Sequence, residues 1–235
     1  MSKDGEIHPV RLGLSLYVRR WYESLLPTTN ALDEYVARGI NRAVAWAPDR
    51  MVDAAEEMLA SYRRNENTAT PNRNALLPMA IMAMAKDYSV TLGDWGHNLA
   101  DKKFVRLVDE PDAQYYGYRH VMADFRAQIV LFAAEDATAR SLASQFALFI
   151  SATLNRRFIA NYEHAGIAIP MTVMIENPDI VFQSIPNDQK NLTMLAGDIT
   201  LKTIVPYFDA NPTAAVQEID IVNINSLTET VVATV

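Results

Sequence analysis

The feature that most restricts the fold of this chain is a long strand-like segment at positions 115–133 with an alternating centre. Between Val121 and Leu131 every second residue is apolar, and the positions between include Asp124, Arg126 and Gln128. This period of two predicts a β-strand with one face in the core and a polar opposite face. At about 3.3 Å per residue the strand is roughly 60 Å long, whereas a globule of this size is about 45 Å across. We therefore expect the strand to bend or to project and to expose an edge that needs a covering partner.

The rest of the pattern predicts an α+β fold. Helices are predicted at residues 10–26, 30–39, 49–62 and from 136 to before 166, with N-caps at Asn30 and Asp136. Further strands are predicted at 43–47, 76–88, 104–108, 171–185 (kinked at Pro178), 192–208 and 216–224. Because successive strands joined by short turns pair antiparallel, we expect an antiparallel sheet with helices packed on one face and long projecting strands.

The order of these elements divides the chain into three parts. Residues 1–42 form a helical N-terminal arm, residues 43–227 form the α+β domain, and residues 228–235 form a short, β-prone C-terminal tail. A length of 235 residues allows one large domain or two small ones, and the single domain is favoured.

Composition excludes several classes of function. The chain has no cysteine, which removes disulfides, thiolate catalysis and cysteine-ligated metals. Its net charge is −7, which argues against a general nucleic-acid coat, because such a coat needs excess cations. We find no signal peptide and no apolar run long enough to span a bilayer, so we expect no membrane partner.

The motifs of common enzymes are also missing from the sequence. The eight glycines form neither a dinucleotide-binding fingerprint nor a phosphate loop, and the four histidines are scattered. We therefore expect no catalytic residue, no cofactor and no metal. One alternative stays open, a soluble enzyme or small-ligand-binding protein that uses the Asp94–His97 loop, where Asp94, His97 and Asp101 lie near Trp95.

Three stretches carry a resemblance to a known family. They are the strand end DFRAQIVLFA (124–133), the amphipathic helix entered at Asp136 with RSLASQF (140–146), and the closing strand DITLKTIVPY (198–207). In the order of their predicted elements and in their pattern of apolar and polar residues, residues 43–224 resemble the tail-terminator and neck (tail-completion, gateway) proteins of tailed bacteriophages. The helical residues 1–42 are an addition to that pattern.

The resemblance implies a non-enzymatic virion protein, assembled in the host cytoplasm and located in the neck. Such proteins form rings, usually six-fold, that cap the tail tube and leave a channel through which DNA passes without specific binding. Expected partners are further copies of the chain, the tail tube and sheath proteins, and the collar or head–tail connector proteins. A twelve-fold collar or head-to-tail adaptor is the alternative within this class, and the helical arm would reach a neighbour.

Within that interpretation, the polar faces of the two long strands are the candidate contact residues. We expect Asp124, Arg126, Gln128, Asp198 and Lys202 to face another subunit or the lumen of the ring.

Overall fold

The computed structural model describes residues 7–47, 77–91, 102–106, 114–186, 191–209, 219–223 and 228–232. The helices are α1 (Ile7–Glu23), α2 (Asn30–Ala37), α3 (Ile40–Ala43) and α4 (Asp136–Ser151), and a 3₁₀ turn follows at Thr153–Arg156. The strands are β1 (Val44–Trp46), β2 (Met79–Thr91), β3 (Lys103–Arg106), β4 (Tyr115–Ala133), β5 (Arg157–His164), β6 (Ile167–Ile175), β7 (Phe182–Ser184), β8 (Thr193–Phe208), β9 (Ile219–Asn223) and β10 (Thr228–Val232).

The fold is broadly α+β, and its main sheet is mixed rather than purely antiparallel. The strand order is β1-β2-β4-β8-β6-β5, with β3 also paired to β4 and β7 also paired to β8. The pair β1–β2 is parallel, and the other pairs are antiparallel. The prediction of a purely antiparallel sheet was therefore wrong at this edge. The two strands are joined by a long connection, residues 47–78. A connection of this length can bring the chain back so that β2 starts at the same end as β1, whereas a short hairpin turn cannot.

The two longest strands, β4 and β8, lie side by side and pair without interruption from Tyr118–Phe208 to Ala133–Thr193. The other edge of β4 pairs with β2 and β3. The expectation that this long strand exposes an unpaired edge was therefore wrong, because strands of the same chain occupy both of its edges. Length alone gives β4 no need for a partner subunit.

One face of this sheet forms the main core together with the helices. On β4 and β8 the register places Phe125 opposite Leu201 and Ala127 opposite Ile199, and all four side chains are buried. The helical contribution to the same core comes from Leu14, Tyr17, Trp21, Leu32, Tyr35, Leu142 and Phe146. The expected packing of helices on one face of the sheet is therefore present.

The first helix belongs to this core rather than standing apart from it. Val10, Leu14, Tyr17 and Trp21 recur at helical spacing and are fully buried. The Trp21 ring packs edge-on against Phe146 of α4, with the ring centroids 4.9 Å apart. The segment predicted as an N-terminal arm thus packs against the chain's own sheet and α4.

Helix α1 also touches β5 at the level of the backbone. A Cβ atom added to Gly13 would lie 2.6 Å from the carbonyl oxygen of Ile159, a distance that ordinary packing does not allow. About two helical turns further on, the Arg20 Nη2 donates to the carbonyl oxygen of Arg157 at 3.4 Å. Glycine is therefore required where the helix crosses the strand.

The region after α4 differs from its prediction. The helix, predicted to stop before Gly166, already ends at Ser151, and residues 157–164 form β5, whose side chains alternate between exposed and buried. A two-residue turn at Ala165 and Gly166, with φ of 51° and 78°, then reverses the chain into β6. The single kinked strand predicted at 171–185 is likewise two strands, β6 and β7.

The helix caps also differ from prediction. Thr29, not Asn30, is the N-cap of α2, and its hydroxyl accepts from the backbone N–H of Leu32 at 3.2 Å. Glu135 precedes α4, and Asp136 is the first residue of that helix, where its carboxylate pairs with Arg140 at 2.7 Å. The helix predicted at 49–62 lies outside the described residues. In the described parts of the chain, no helix is both long and apolar enough to cross a membrane.

Candidate interaction surface on the sheet

The five residues predicted as contacts all lie on the sheet face opposite the helices that the structure describes. The register pairs Asp124 with Lys202, and Gln128 with Asp198, while Arg126 lies between them opposite Thr200. These positions alternate with the buried core positions of β4 and β8, which places them on the second face. The structure therefore brings the predicted residues together as one polar band.

The most connected part of this polar band is centred on Lys202. Its Nζ donates to Asp124 Oδ2 at 3.1 Å and lies 3.2 Å from Glu176 Oε1. These hydrogen bonds, to Asp124 first and to Glu176 second, raise the pKa of the Lys202 ammonium above its usual value. The three side chains are 24%, 32% and 46% exposed for Asp124, Lys202 and Glu176, so water still reaches each of them.

At the other end of the polar band, a buried side chain is hydrogen-bonded to an exposed one. The Gln128 Nε2 donates to Asp198 Oδ1 at 2.7 Å, and the Gln128 side chain is buried. Beyond Gln128, this face becomes apolar, with a second buried cluster that includes Met79, Phe132 and Met194. The polar band therefore borders an apolar cluster and is held in shape by hydrogen bonds within the chain.

Glu176 is a member of this band that sequence reasoning missed. It lies just after β6, and its backbone N–H donates to the carbonyl oxygen of Thr200 at 2.9 Å. That bond holds the backbone of Glu176 against β8, and its carboxylate lies 3.2 Å from Lys202 Nζ. The sequence holds no signal for this pairing, because it depends on the register between β6 and β8.

A second cluster that the sequence did not indicate consists of aromatic rings around His164. The imidazole stacks on Phe208, with the ring centroids 4.5 Å apart, and meets Tyr116 edge-on at 4.9 Å. Phe208 in turn stacks on Tyr118. Burial disfavours the charged imidazolium, so it lowers the pKa of His164 below the ordinary value.

The burial of His164 predicts sensitivity to acid. Because the folded-state pKa lies below the unfolded value of about 6.5, the unfolded chain binds more protons, and stability falls as the pH drops below about 6.5. We expect His164→Phe to remove this part of the loss, since phenylalanine keeps the stack and does not titrate. The measurement is the free energy of unfolding at pH 7.5 and at pH 5.0 for wild type and variant. The control is His8→Phe at an exposed position, and an unchanged pH difference in His164→Phe would contradict the assignment.

The remaining predicted candidates are not placed on this surface. The Asp94–His97 loop lies outside the described residues, so its alternative function stays a prediction. Among the residues that the structure describes, no three histidine, aspartate or glutamate side chains are grouped to hold a metal ion. The arrangement described above is a partly hydrated polar surface on which Asp124, Lys202 and Glu176 are paired within the chain.

Comparison of the chain with models of protein families and with curated proteins finds no match in either case.

Proposed function

We propose that this chain is a structural protein of a tailed bacteriophage that forms a ring in the neck between head and tail. In this role it caps the tail tube and leaves a channel for DNA. It works without chemistry of its own, by contact with further copies and with tail tube, sheath and connector proteins. Residues 43–224 supply the resemblance on which the assignment to this class rests.

The observation that carries the proposal is the polar band of Asp124, Arg126, Gln128, Asp198 and Lys202 on the outer face of the sheet. Its charged groups are paired within the chain yet remain partly hydrated, as in Asp124 and Lys202. Charges that are paired and fixed favour a partner surface with a complementary arrangement of charges over other surfaces. They also lose little hydration when they are buried in a contact, which suits a surface that meets another subunit. Charges that are paired within the chain also suit the wall of a channel for DNA, because a cation already paired with a carboxylate binds phosphate weakly.

The overall charge supports passage of DNA rather than its capture. With a net charge of −7, a ring of several copies carries a large negative charge, which repels the phosphate backbone over a Debye length of about 10 Å at 0.1 M salt. DNA can then slide past without specific contacts.

The test is the mass of the purified protein across a concentration series, alone and mixed with tail-tube protein. We expect a discrete ring of six subunits, either alone or only with the tube protein. A discrete twelve-subunit species would instead favour the collar or head-to-tail adaptor role. A monomer at every concentration that ignores the tube protein would contradict the proposal.

The placement of the polar band can be tested by reversing one exposed charge in it. We expect Arg126→Glu to weaken assembly by roughly tenfold or more, because a like charge at a complementary contact is repulsive. The control is Arg140→Glu, which makes the same change on the exposed side of α4 in the helical layer. If Arg126→Glu assembled as well as wild type, the polar band would not be part of the contact surface between subunits.

A further inference from the structure

Strand β5 lies at one end of the main sheet, and its outer edge is only partly covered. The two-residue turn makes His164 and Ile167 a hydrogen-bonded pair, so the bonded positions of β5 are the even-numbered ones. The backbone N–H and C=O groups at positions 157, 159, 161 and 163 therefore point away from β6. This edge is where a further strand can add.

Helix α1 covers the first half of this edge and leaves the second half open. Arg20 donates to the carbonyl oxygen of Arg157, and Gly13 packs against that of Ile159. Within the described parts of the chain, no hydrogen bond reaches the edge groups of Asn161 and Glu163. Two residues of unpaired backbone thus remain beside the turn.

A groove of about 570 Å³ runs between α1 and this edge. It is lined by two half-exposed apolar side chains, Leu16 (55% exposed) and Ile159 (47% exposed). Its charged lining consists of Arg19, Arg20 and Arg157 against the single acid Glu23. Because Glu23 is already paired with Arg19 at 2.7 Å, the groove presents two further positive charges beside an apolar floor.

The C-terminal segment of the chain has the opposite character. After Lys202 the sequence contains no lysine or arginine, and Glu218, Asp220 and Glu229 lie in or beside its last two strands. This segment is rich in isoleucine, valine and threonine, which favour strands. In the described residues, β9 and β10 pair only with one another, and such a two-stranded ribbon is marginally stable by itself.

From these observations we infer that the groove between α1 and β5 binds the acidic C-terminal segment, residues 219–235, of a second copy of this chain. The incoming strand begins its ladder at Asn161, and its acidic residues lie on the side of Arg157 and Arg20, away from the turn and from Glu163. The inference rests on the proposed function only in that identical copies assemble.

A second copy fits better than the same chain as the source of this strand. Within one chain β9 lies beside β3, and β3 pairs with the same edge of β4 as β2 does. Strand β5 lies at the other end of the sheet, beyond β8 and β6. The β9–β10 ribbon and the open edge of β5 therefore lie at opposite ends of the main sheet. A contact that joins the ribbon of one copy to the β5 edge of another uses two different surfaces, so it is head-to-tail. Head-to-tail contacts between identical subunits generate closed rings or open filaments.

The absence of native cysteine allows a direct test in the full chain by disulfide trapping. One preparation carries Asn161→Cys, and a second carries a single cysteine at Thr228, Thr230 or Val232. We expect the mixture to form a disulfide-linked heterodimer under mild oxidation at one or more of these three positions. The matched control replaces Asn161→Cys by Leu154→Cys at an exposed site outside the groove. A heterodimer yield no higher than this control would overturn the inference.

Two further variants separate the edge from general surface effects. Asn161→Pro removes the outward N–H without removing a bond to β6, and we expect it to weaken self-association by roughly tenfold, the effect of about one lost hydrogen bond. Asn161→Ala, which keeps the N–H, should associate as wild type does. Equal association of the proline variant and the alanine variant would contradict strand addition.

The outcomes distinguish this inference from the proposed function. A discrete ring with the tube protein but no trapped heterodimer would refute this interface and leave the neck role standing. A trapped heterodimer from a protein that forms no discrete ring, either alone or with the tube protein, would support the interface and refute the neck role. A chain carrying both Asn161→Cys and Thr230→Cys that forms only an internal disulfide would show that the strand comes from the same copy and overturn the inference.

Discussion

Replacing Trp21 by alanine is expected to lower the free energy of unfolding by about 3–5 kcal/mol, the usual range for removal of a fully buried large aromatic side chain. The indole lies in the main core and packs edge-on against Phe146, so alanine leaves a cavity between α1 and α4. The measurement is chemical denaturation followed by circular dichroism, with the midpoint and the slope determined separately.

The matched control for this variant is Leu12→Ala in the same helix. Leu12 is 53% exposed, so its truncation should change the free energy of unfolding by less than about 1 kcal/mol. If Trp21→Ala were as mild as the control, α1 would not belong to the cooperative core. The helix would then be an arm that docks independently, as the sequence suggested.

The variant Gly13→Val is expected to destabilise the protein by about 2–3 kcal/mol, because a side chain at this position meets the backbone oxygen of Ile159 and the ring of Phe158. A backbone oxygen in a paired strand cannot rotate away, so α1 must lift from β5. The smaller variant Gly13→Ala tests whether the change in the free energy of unfolding is positive or negative. Helix propensity alone favours alanine over glycine by about 1 kcal/mol, whereas the close approach opposes it.

We expect the close approach to prevail, so that Gly13→Ala is also less stable than wild type in thermal and denaturant unfolding. Leu12→Val controls for the cost of a β-branched residue in this helix, and it should cost a few tenths of a kcal/mol. A stabilised Gly13→Ala would contradict the contact between α1 and β5.

The sequence predicted the elements whose pattern is long and regular. The strands at 115–133 and 192–208 are confirmed as β4 and β8, and the strand at 76–88 as β2 with slightly different ends. In β4 and β8 the alternation favours a strand with one buried face, whereas in β2 both faces are apolar and the pattern by itself was ambiguous. The same alternation placed Asp124, Arg126 and Gln128 on the polar face correctly.

What the sequence could not supply depends on pairing between distant segments. Strand β5 follows an amphipathic helix after only a 3₁₀ turn, and its eight residues are too few for their alternation to outweigh the continuing helical pattern. The three residues of β1 give no sign that they run parallel to β2. The pair Lys202–Glu176 and the stack of His164 on Phe208 both depend on how the β5–β6 hairpin meets β8.

The seating of α1 on β5 has a consequence for synthesis of the chain. The apolar face of a helix formed by residues 7–23 is completed by a strand at residues 157–164, so the helix leaves the ribosome long before its partner exists. At about 5–20 residues per second, the delay is on the order of 10 s. During that time the rings of Tyr17 and Trp21 lack their final neighbours. Nascent chains should therefore engage a holding chaperone until residue 164 has emerged.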